Sequence, residues 1–174
     1  MDVALTPRLR LRRLTHADAA FLLRLLNEPS FHENIGDRGV RTLEDARRYL
    51  DEGPLRSYVE NGFGLYLVEE RATGTALGMC GLIRRPALEH VDLGFAFIPE
   101  AWGRGYATEA GTAVLAHGLD ELGLETLVAI TAPHNLGSKR VLGKLGFVFE
   151  RRLRLPGDAT DIELFVLEPE SRRR

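Results

Sequence analysis

The chain has 174 residues, 44% apolar and 28% charged, with a formal net charge of −2. Such a chain can bury a core without staples, and its near-zero balance supplies no global positive field for nucleic acid or a membrane surface. Cys80 is the lone cysteine, so no intrachain disulfide can form and a cytoplasmic setting is expected.

Met1 to Leu14 is rich in arginine and lacks an apolar stretch, so no signal peptide is expected. No run approaches transmembrane length. The five histidines are scattered without ligand spacing, and no metal is expected. A single domain over 1–174 is expected, with its core at about 7–168 and a frayed tail at 169–174.

Leu9 to Leu14 reads as a first strand. Thr15 can cap a helix from about His16 to Asn27, with Asp18 in its first turn and an apolar stripe of Ala19, Leu22, Leu23 and Leu26. Pro29 is expected to end it, and Ser30 to Val40, with Gly36 and Gly39, reads as a loop. Thr42 followed by Asp45 resembles a capping box opening a helix to about Asp51. Strands follow at about Gly64–Glu70, Ala76–Ile83 and Val91–Ile98. Cys80 lies within the second of these and reads as a small core hydrophobe. A helix from Ala107 to Leu119, a strand over Leu127–Thr131 and a helix over Asn135–Leu145 come next. Val148–Leu155 and Ile162–Leu167 are the last strands, around a Pro156-Gly157-Asp158 turn. The order alone gives an α/β or α+β fold built on a mixed sheet.

Between the strand ending near Ile98 and the helix from Ala107 stands Trp102-Gly103-Arg104-Gly105-Tyr106-Ala107-Thr108-Glu109-Ala110. Two glycines one residue apart allow a tight turn and clear side chains from its N–H groups. The following helix adds unpaired donors and the positive end of its dipole. Together they form an anion site suited to a diphosphate. A P-loop is ruled out, since Gly105 is followed by Tyr106 and not by Lys-Ser or Lys-Thr. A dinucleotide turn fits poorly, because Thr108 stands where its third glycine belongs.

The same stretch is similar to the coenzyme A turn of the GNAT acyltransferases, at Gly105 and Ala107, and departs from the usual Arg or Gln at Trp102. That departure resembles the branch around the ribosomal-protein alanine N-acetyltransferases. Asn135-Leu136-Gly137-Ser138-Lys139-Arg140-Val141-Leu142-Gly143-Lys144-Leu145-Gly146-Phe147 resembles the same branch, and Thr6 to Arg12 gives a weaker third match. The resemblance runs from about Pro7 to Leu167. It implies the acyl-CoA N-acyltransferase fold: a central, mostly antiparallel sheet, splayed at the coenzyme A site, with helices on both faces.

The resemblance further implies acetyl transfer from acetyl-CoA to an amine. Gly103, Arg104, Gly105, Tyr106 and Ala107 would then turn their N–H groups to the diphosphate, with Thr108 adding a hydroxyl. The Arg104 side chain either contacts phosphate or points to water, and Trp102 packs the turn against the sheet. The pantetheine arm would pair with strand edges at Phe95 to Ile98, including Phe97 and Ile98, and at Leu127 to Thr131, with an N–H near Phe95 polarising the thioester.

Asn135 can serve pantetheine amides, cap the helix it opens, or do both. Ser138, one turn on, is either the acid for the departing thiolate or a surface serine. Asp92 is the first choice for the proton acceptor, against a purely structural role, with His90 and Glu89 as alternatives. Glu109 reads as structural at its helix start. Phe31, His32 and Asn34, with Glu33 and Ile35 beside them, are expected to line the acceptor pocket.

The leading expectation is an N-acetyltransferase acting on a protein N-terminus or a small amine, as a monomer or homodimer. The alternatives are a detoxifying antibiotic or polyamine acetyltransferase and an inactive acyl-CoA-binding sensor. No nucleic-acid or membrane partner is expected.

Overall fold

The computed structural model describes residues 2–169. Eight strands form one open sheet in the order β1-β2-β3-β4-β5-β6-β8-β7. All neighbours are antiparallel except β5 and β6.

The chain enters through a hairpin, β1 (Asp2–Leu5) and β2 (Leu9–Arg13). The first of these was not foreseen from the sequence. In β2, Leu9 and Leu11 are fully buried while Arg10 and Arg12 face the opposite side, the alternation a pleated strand requires. Arg12 grips Asp18 with two N–H bonds of 3.0 and 2.8 Å and reaches Glu69 on β3 at 3.3 Å. Asp18 also accepts the Thr15 N–H at 2.8 Å, completing a capping box. That cap starts a tight 3₁₀ turn, His16–Asp18, which runs into α1 (Ala19–Leu26).

The expected loop after α1 is partly helical. Pro29 does not simply end α1; it opens α2 (Pro29–Asn34), since a first-turn residue has no use for its missing N–H. Thr42 caps α3 (Leu43–Glu52) by accepting from the Asp45 N–H at 3.0 Å. A further helix, α4 (Pro54–Asn61), again starts on proline and stops at Gly62, whose φ of 79° suits glycine alone. It escaped the sequence reading because only a few of its residues, Pro54 and Tyr58 among them, are buried. Tyr58 stacks on Tyr66 of β3, with ring centres 5.8 Å apart, and so seats α4 on the sheet.

The meander β3 (Leu65–Glu70), β4 (Ala76–Ile83) and β5 (Asp92–Phe97) follows as expected. Gly81 on β4 allows close backbone approach: a Cβ there would sit 2.1 Å from the Gly64 carbonyl oxygen. Cys80 beside it is fully buried, and burial pushes its thiol well above the ordinary range. The helix α5 (Tyr106–Ala116) packs across β1, β2, β4 and β5 and ends in a π-helical turn, His117–Glu121. Then come β6 (Leu127–Thr131), α6 (Leu136–Lys144), β7 (Val148–Leu153) and β8 (Ile162–Leu167). Apart from Pro169, the expected tail at 169–174 lies outside the described residues.

The sheet has one break. β5 and β6 share a single register pair, Asp92 with Val128, and the Val128 N–H donates to the Val91 carbonyl at 3.0 Å. Beyond that rung the strands part. β5 stays paired to β4 through Phe97, and β6 stays paired to β8 through Thr131.

The N-terminal hairpin is tied to α5 through Glu109. Its carboxylate accepts from the Thr6 hydroxyl at 2.5 Å, the Arg8 N–H at 3.0 Å and the Arg8 Nε at 2.8 Å. Partial burial pushes the Glu109 carboxyl up, but these donors outweigh it and hold it below the ordinary glutamate value. A depressed folded pKa contributes stability that is present above the unfolded pKa and is lost as pH falls through the folded one. Glu109→Gln should therefore lower Tm by about 3 °C at pH 7, an effect on the order of 1 kcal/mol. The gap between variant and wild type should close as the melting buffer is taken below the ordinary glutamate range; a gap that persists there would contradict the assignment.

Candidate active site

A cleft of about 1700 Å³ opens where β5 and β6 diverge. The α5 turn, the start of α6, the β4–β5 loop and residues of α2, α3 and α4 complete its walls. It exceeds the usual range of small-ligand pockets, roughly 300–1,000 Å³, and offers room for two reactants.

The β5 edge that faces the gap follows from strand alternation. The Ile98 N–H donates across to the Leu77 carbonyl at 3.0 Å, so the even-numbered residues of this strand point their polar backbone groups at β4. Leu93, Phe95 and Phe97 then point theirs at the gap. The Phe97 carbonyl is taken by the Trp102 indole N–H at 2.9 Å, which pins the turn to the strand; Trp102 itself is 53% exposed, so it holds the turn through this hydrogen bond and not, as expected, through packed bulk. Ile98, whose N–H belongs to β4, offers no backbone donor on this side.

At the turn, Gly103 and Gly105 adopt φ of 73° and 81°, the left-handed region that favours glycine. Gly105 immediately precedes α5, and no side chain caps that helix. Among the described residues, the N–H groups from Gly103 through Tyr106 and Ala107 to Thr108 take no hydrogen-bond partner. This run of unpaired donors at the start of an eleven-residue helix is suited to a diphosphate. The Arg104 side chain is free of ion pairs among the described residues and lies over the Tyr106 ring, 5.0 Å from its centre.

Across the cleft, Asn135 caps α6. Its Oδ1 accepts the Ser138 N–H at 3.2 Å and its Nδ2 donates to the Ser138 Oγ at 2.9 Å. The amide that the sequence reading gave to pantetheine is thus engaged first with Ser138, keeping one N–H and one lone pair in reserve. For Ser138 the consequence is chemical: Asn135 occupies an acceptor site on its oxygen, and its own proton is left free to donate.

Asp92 lies at the apex of the splay and is 1% exposed. Its Oδ2 accepts from Arg85 Nε at 2.7 Å, while its Oδ1 has no hydrogen-bond partner among the described residues. Burial pushes the Asp92 carboxyl up; Arg85 pulls it back, and the net position stays above the ordinary carboxylate range. Arg85 was missed from the sequence because the pairing depends on the β4–β5 register. That register sets Ile83 opposite Asp92 and brings the start of the connecting loop over the carboxylate. His90 and Glu89, the other proton acceptors considered, do not line the cleft.

Of the expected acceptor pocket, Phe31 and Asn34 line the cleft, with Ile35. His32 and Glu33 do not, which corrects the reading of His32 as a pocket residue. The cause is the unforeseen helix α2, whose spacing puts positions 31, 34 and 35 on one face and 32 on another. The His32 ring lies 3.7 Å from Asp37 instead. Among the described residues, no group of three or more His, Cys, Asp or Glu side chains is gathered as metal ligands, and no helix is long and apolar enough to cross a membrane.

Residues 8–148 match the acetyltransferase (GNAT) domain. The Bacillus subtilis (strain 168) protein YkkB is 30% identical over 154 residues, covering 86% of this chain and 87% of its own. The crystal structure of an acetyltransferase from Agrobacterium tumefaciens str. C58 superposes with a TM-score of 0.80 at 25% identity, covering 95% of this chain and 93% of that one. RimL, a ribosomal L7/L12 alpha-N-protein acetyltransferase solved in complex with coenzyme A, superposes with a TM-score of 0.84 at 16% identity, covering 98% and 99%. At that identity the likeness to RimL is one of fold. The domain match spans β2 and the donor-lined turn, and this chain belongs to the GNAT acetyltransferases.

Proposed function

We propose that the chain transfers the acetyl group of acetyl-CoA to a primary amine, by direct attack while both reactants occupy the cleft. The observation that carries this reading is the run of unpaired N–H donors from Gly103 to Thr108, opening on a gap between two unpaired strand edges. Donors and gap fit the two chemically distinct parts of coenzyme A, an anionic diphosphate and an amide-bearing arm. Arg104 does not line the cleft; its guanidinium, without an ion pair among the described residues, lies over the Tyr106 ring and adds positive charge beside the donors. The edges at Leu93 to Phe97 and Ala129 to Thr131 suit an arm that pairs as an added strand.

Bound acetyl-CoA supplies an acetyl thioester with a thiolate that leaves readily. The chain must then take a proton from the amine, polarise a carbonyl and return a proton to sulfur. Asp92 is the proposed proton acceptor, through its unpartnered Oδ1, with Arg85 fixing the other oxygen. The Phe95 N–H, turned into the gap, is the proposed donor to the carbonyl oxygen. Ser138, its oxygen held by Asn135 and its proton free, is the proposed acid.

For the acceptor, a protein N-terminus or another single primary amine is favoured over a polyamine. A polyamine calls for an acidic lining, whereas Glu52, Asp92 and Asp158 share the cleft with Arg38, Arg84 and Arg85. Release of free thiol from acetyl-CoA, measured across a panel of peptides with free N-termini, amino sugars and spermidine, tests both class and acceptor. Turnover with peptides above spermidine is expected. Thermal stabilisation by coenzyme A without turnover on any amine would replace the enzyme reading with that of a sensor.

Two substitutions probe the chemistry. Asp92→Asn should lower kcat by about 100-fold or more, the usual range for losing a positioned base. With wild type, kcat/KM should fall on the acid side with a midpoint above the ordinary carboxylate value, because the acceptor works only when ionised; the variant should lack that limb. A variant that retains both the limb and most of the rate would remove Asp92 from the chemistry. Ser138→Ala should lower kcat by about tenfold with little change in KM, a modest loss because a thiolate is a tolerable leaving group. An unchanged kcat would return Ser138 to the helix surface.

A further inference from the structure

We infer that Arg8 is a positioning residue for the Gly103–Thr108 turn: by holding the Arg104 carbonyl it aims the neighbouring N–H groups at the donor's phosphates. The inference rests on the reading of that turn as the diphosphate site and concerns what keeps it in shape.

The turn has little to stiffen it from within. Two of its residues are left-handed glycines, and no side chain caps α5. Trp102 ties its start to β5, and the restraint on its middle comes from the approach to β2, 96 positions away in the sequence. Arg8 Nη1 donates to the Arg104 carbonyl at 2.8 Å, and Arg8 Nε donates to Glu109 at 2.8 Å. The guanidinium also lies over the Tyr106 ring, 4.4 Å from its centre. Glu109 is fixed in turn by the Thr6 hydroxyl and the Arg8 main-chain N–H. A planar fork can satisfy a carbonyl, a carboxylate and a ring face together; a lysine ammonium cannot.

The consequence follows from peptide geometry. In a trans peptide the carbonyl of one residue and the N–H of the next point in opposite directions. Anchoring the Arg104 carbonyl on Arg8 therefore directs the Gly105 N–H away from Arg8. Gly105, Tyr106, Ala107 and Thr108 line the cleft, whereas Arg8 does not, so Arg8 acts through the turn. Space is limited at the contact: a Cβ on Gly105 would come within 3.3 Å of Arg8 Nη2. Arg104 places a second guanidinium over the same ring at 5.0 Å, which gathers positive charge behind the donors.

The test uses the full chain and two acetyl donors, acetyl-CoA and S-acetylpantetheine, which lacks the diphosphate. Arg8→Ala and Arg8→Lys are compared with wild type at equal folded fraction, set from their melting curves. The lysine variant retains a charge opposite Glu109 and guards against loss of the fold. Both variants should lose about tenfold in kcat/KM with acetyl-CoA, chiefly through KM, as expected for one charge-assisted bond. Calorimetric affinity for coenzyme A should fall by a similar factor. With S-acetylpantetheine the variants should match wild type within about twofold. Equal losses with both donors would make Arg8 a general structural residue, and no loss with either would leave the turn self-supporting; both overturn the inference. Should wild type show no calorimetric heat with coenzyme A and treat the two donors alike, the diphosphate reading itself fails and this inference falls with it.

Discussion

β5 and β6 meet through one rung, Asp92 opposite Val128, and the rest of the site depends on their not meeting again. A parallel pair normally continues, because unpaired backbone groups in a dry interior cost as much as lost hydrogen bonds. Past the Leu93 N–H, which belongs to that rung, the edge at Phe95 and Phe97 stays open because a wide cleft reaches it. One carbonyl, that of Phe97, is closed off by Trp102, and the same bond sets where the following turn begins. The gap, the turn and the buried carboxylate at the apex are three results of one interruption in the sheet.

Charges around that interruption are arranged in couples that leave one partner incomplete. Asp92 has one oxygen on Arg85 and the other unsatisfied. Ser138 receives a bond from Asn135 and keeps its own proton. Arg104 rests on Tyr106 without a counter-ion among the described residues. Away from the cleft the corresponding groups are fully matched: Arg12 with Asp18 and Glu69, Glu109 with Thr6 and Arg8. Unfilled valence gathered around one cleft marks a candidate site, although His32 Nε2, away from the cleft, is likewise buried without a hydrogen-bond partner among the described residues.

Much of this was legible in the sequence where the signal is local. The strands of the meander, β6 and β8 followed from β-rich runs bounded by turn residues, the Thr15 cap from a hydroxyl before an apolar-periodic run, and the Thr42–Asp45 cap from hydroxyl-to-acid spacing. The glycine turn could be read because only glycine suits left-handed φ at 103 and 105. What escaped depends on contacts between segments. The strand β1 has no strong alternation, and half of it is exposed. The helices α2 and α4 begin on prolines that punctuate helices as often as they open them. His32 was misplaced with α2, since a loop has no face to assign. Arg85 could not be paired with Asp92 without the β4–β5 register, nor Arg8 with Arg104 without the docking of β2 on α5.

Two half-sheets joined at a single rung also behave as a lever. Asp92 stands at the fulcrum, while the strand ends near Phe97 and Thr131 are the far tips. A small rocking of one half against the other spreads the tips by far more than it displaces the carboxylate. In that geometry the width of the mouth is set far more by the angle between the halves than is the spacing of the atoms nearest the apex.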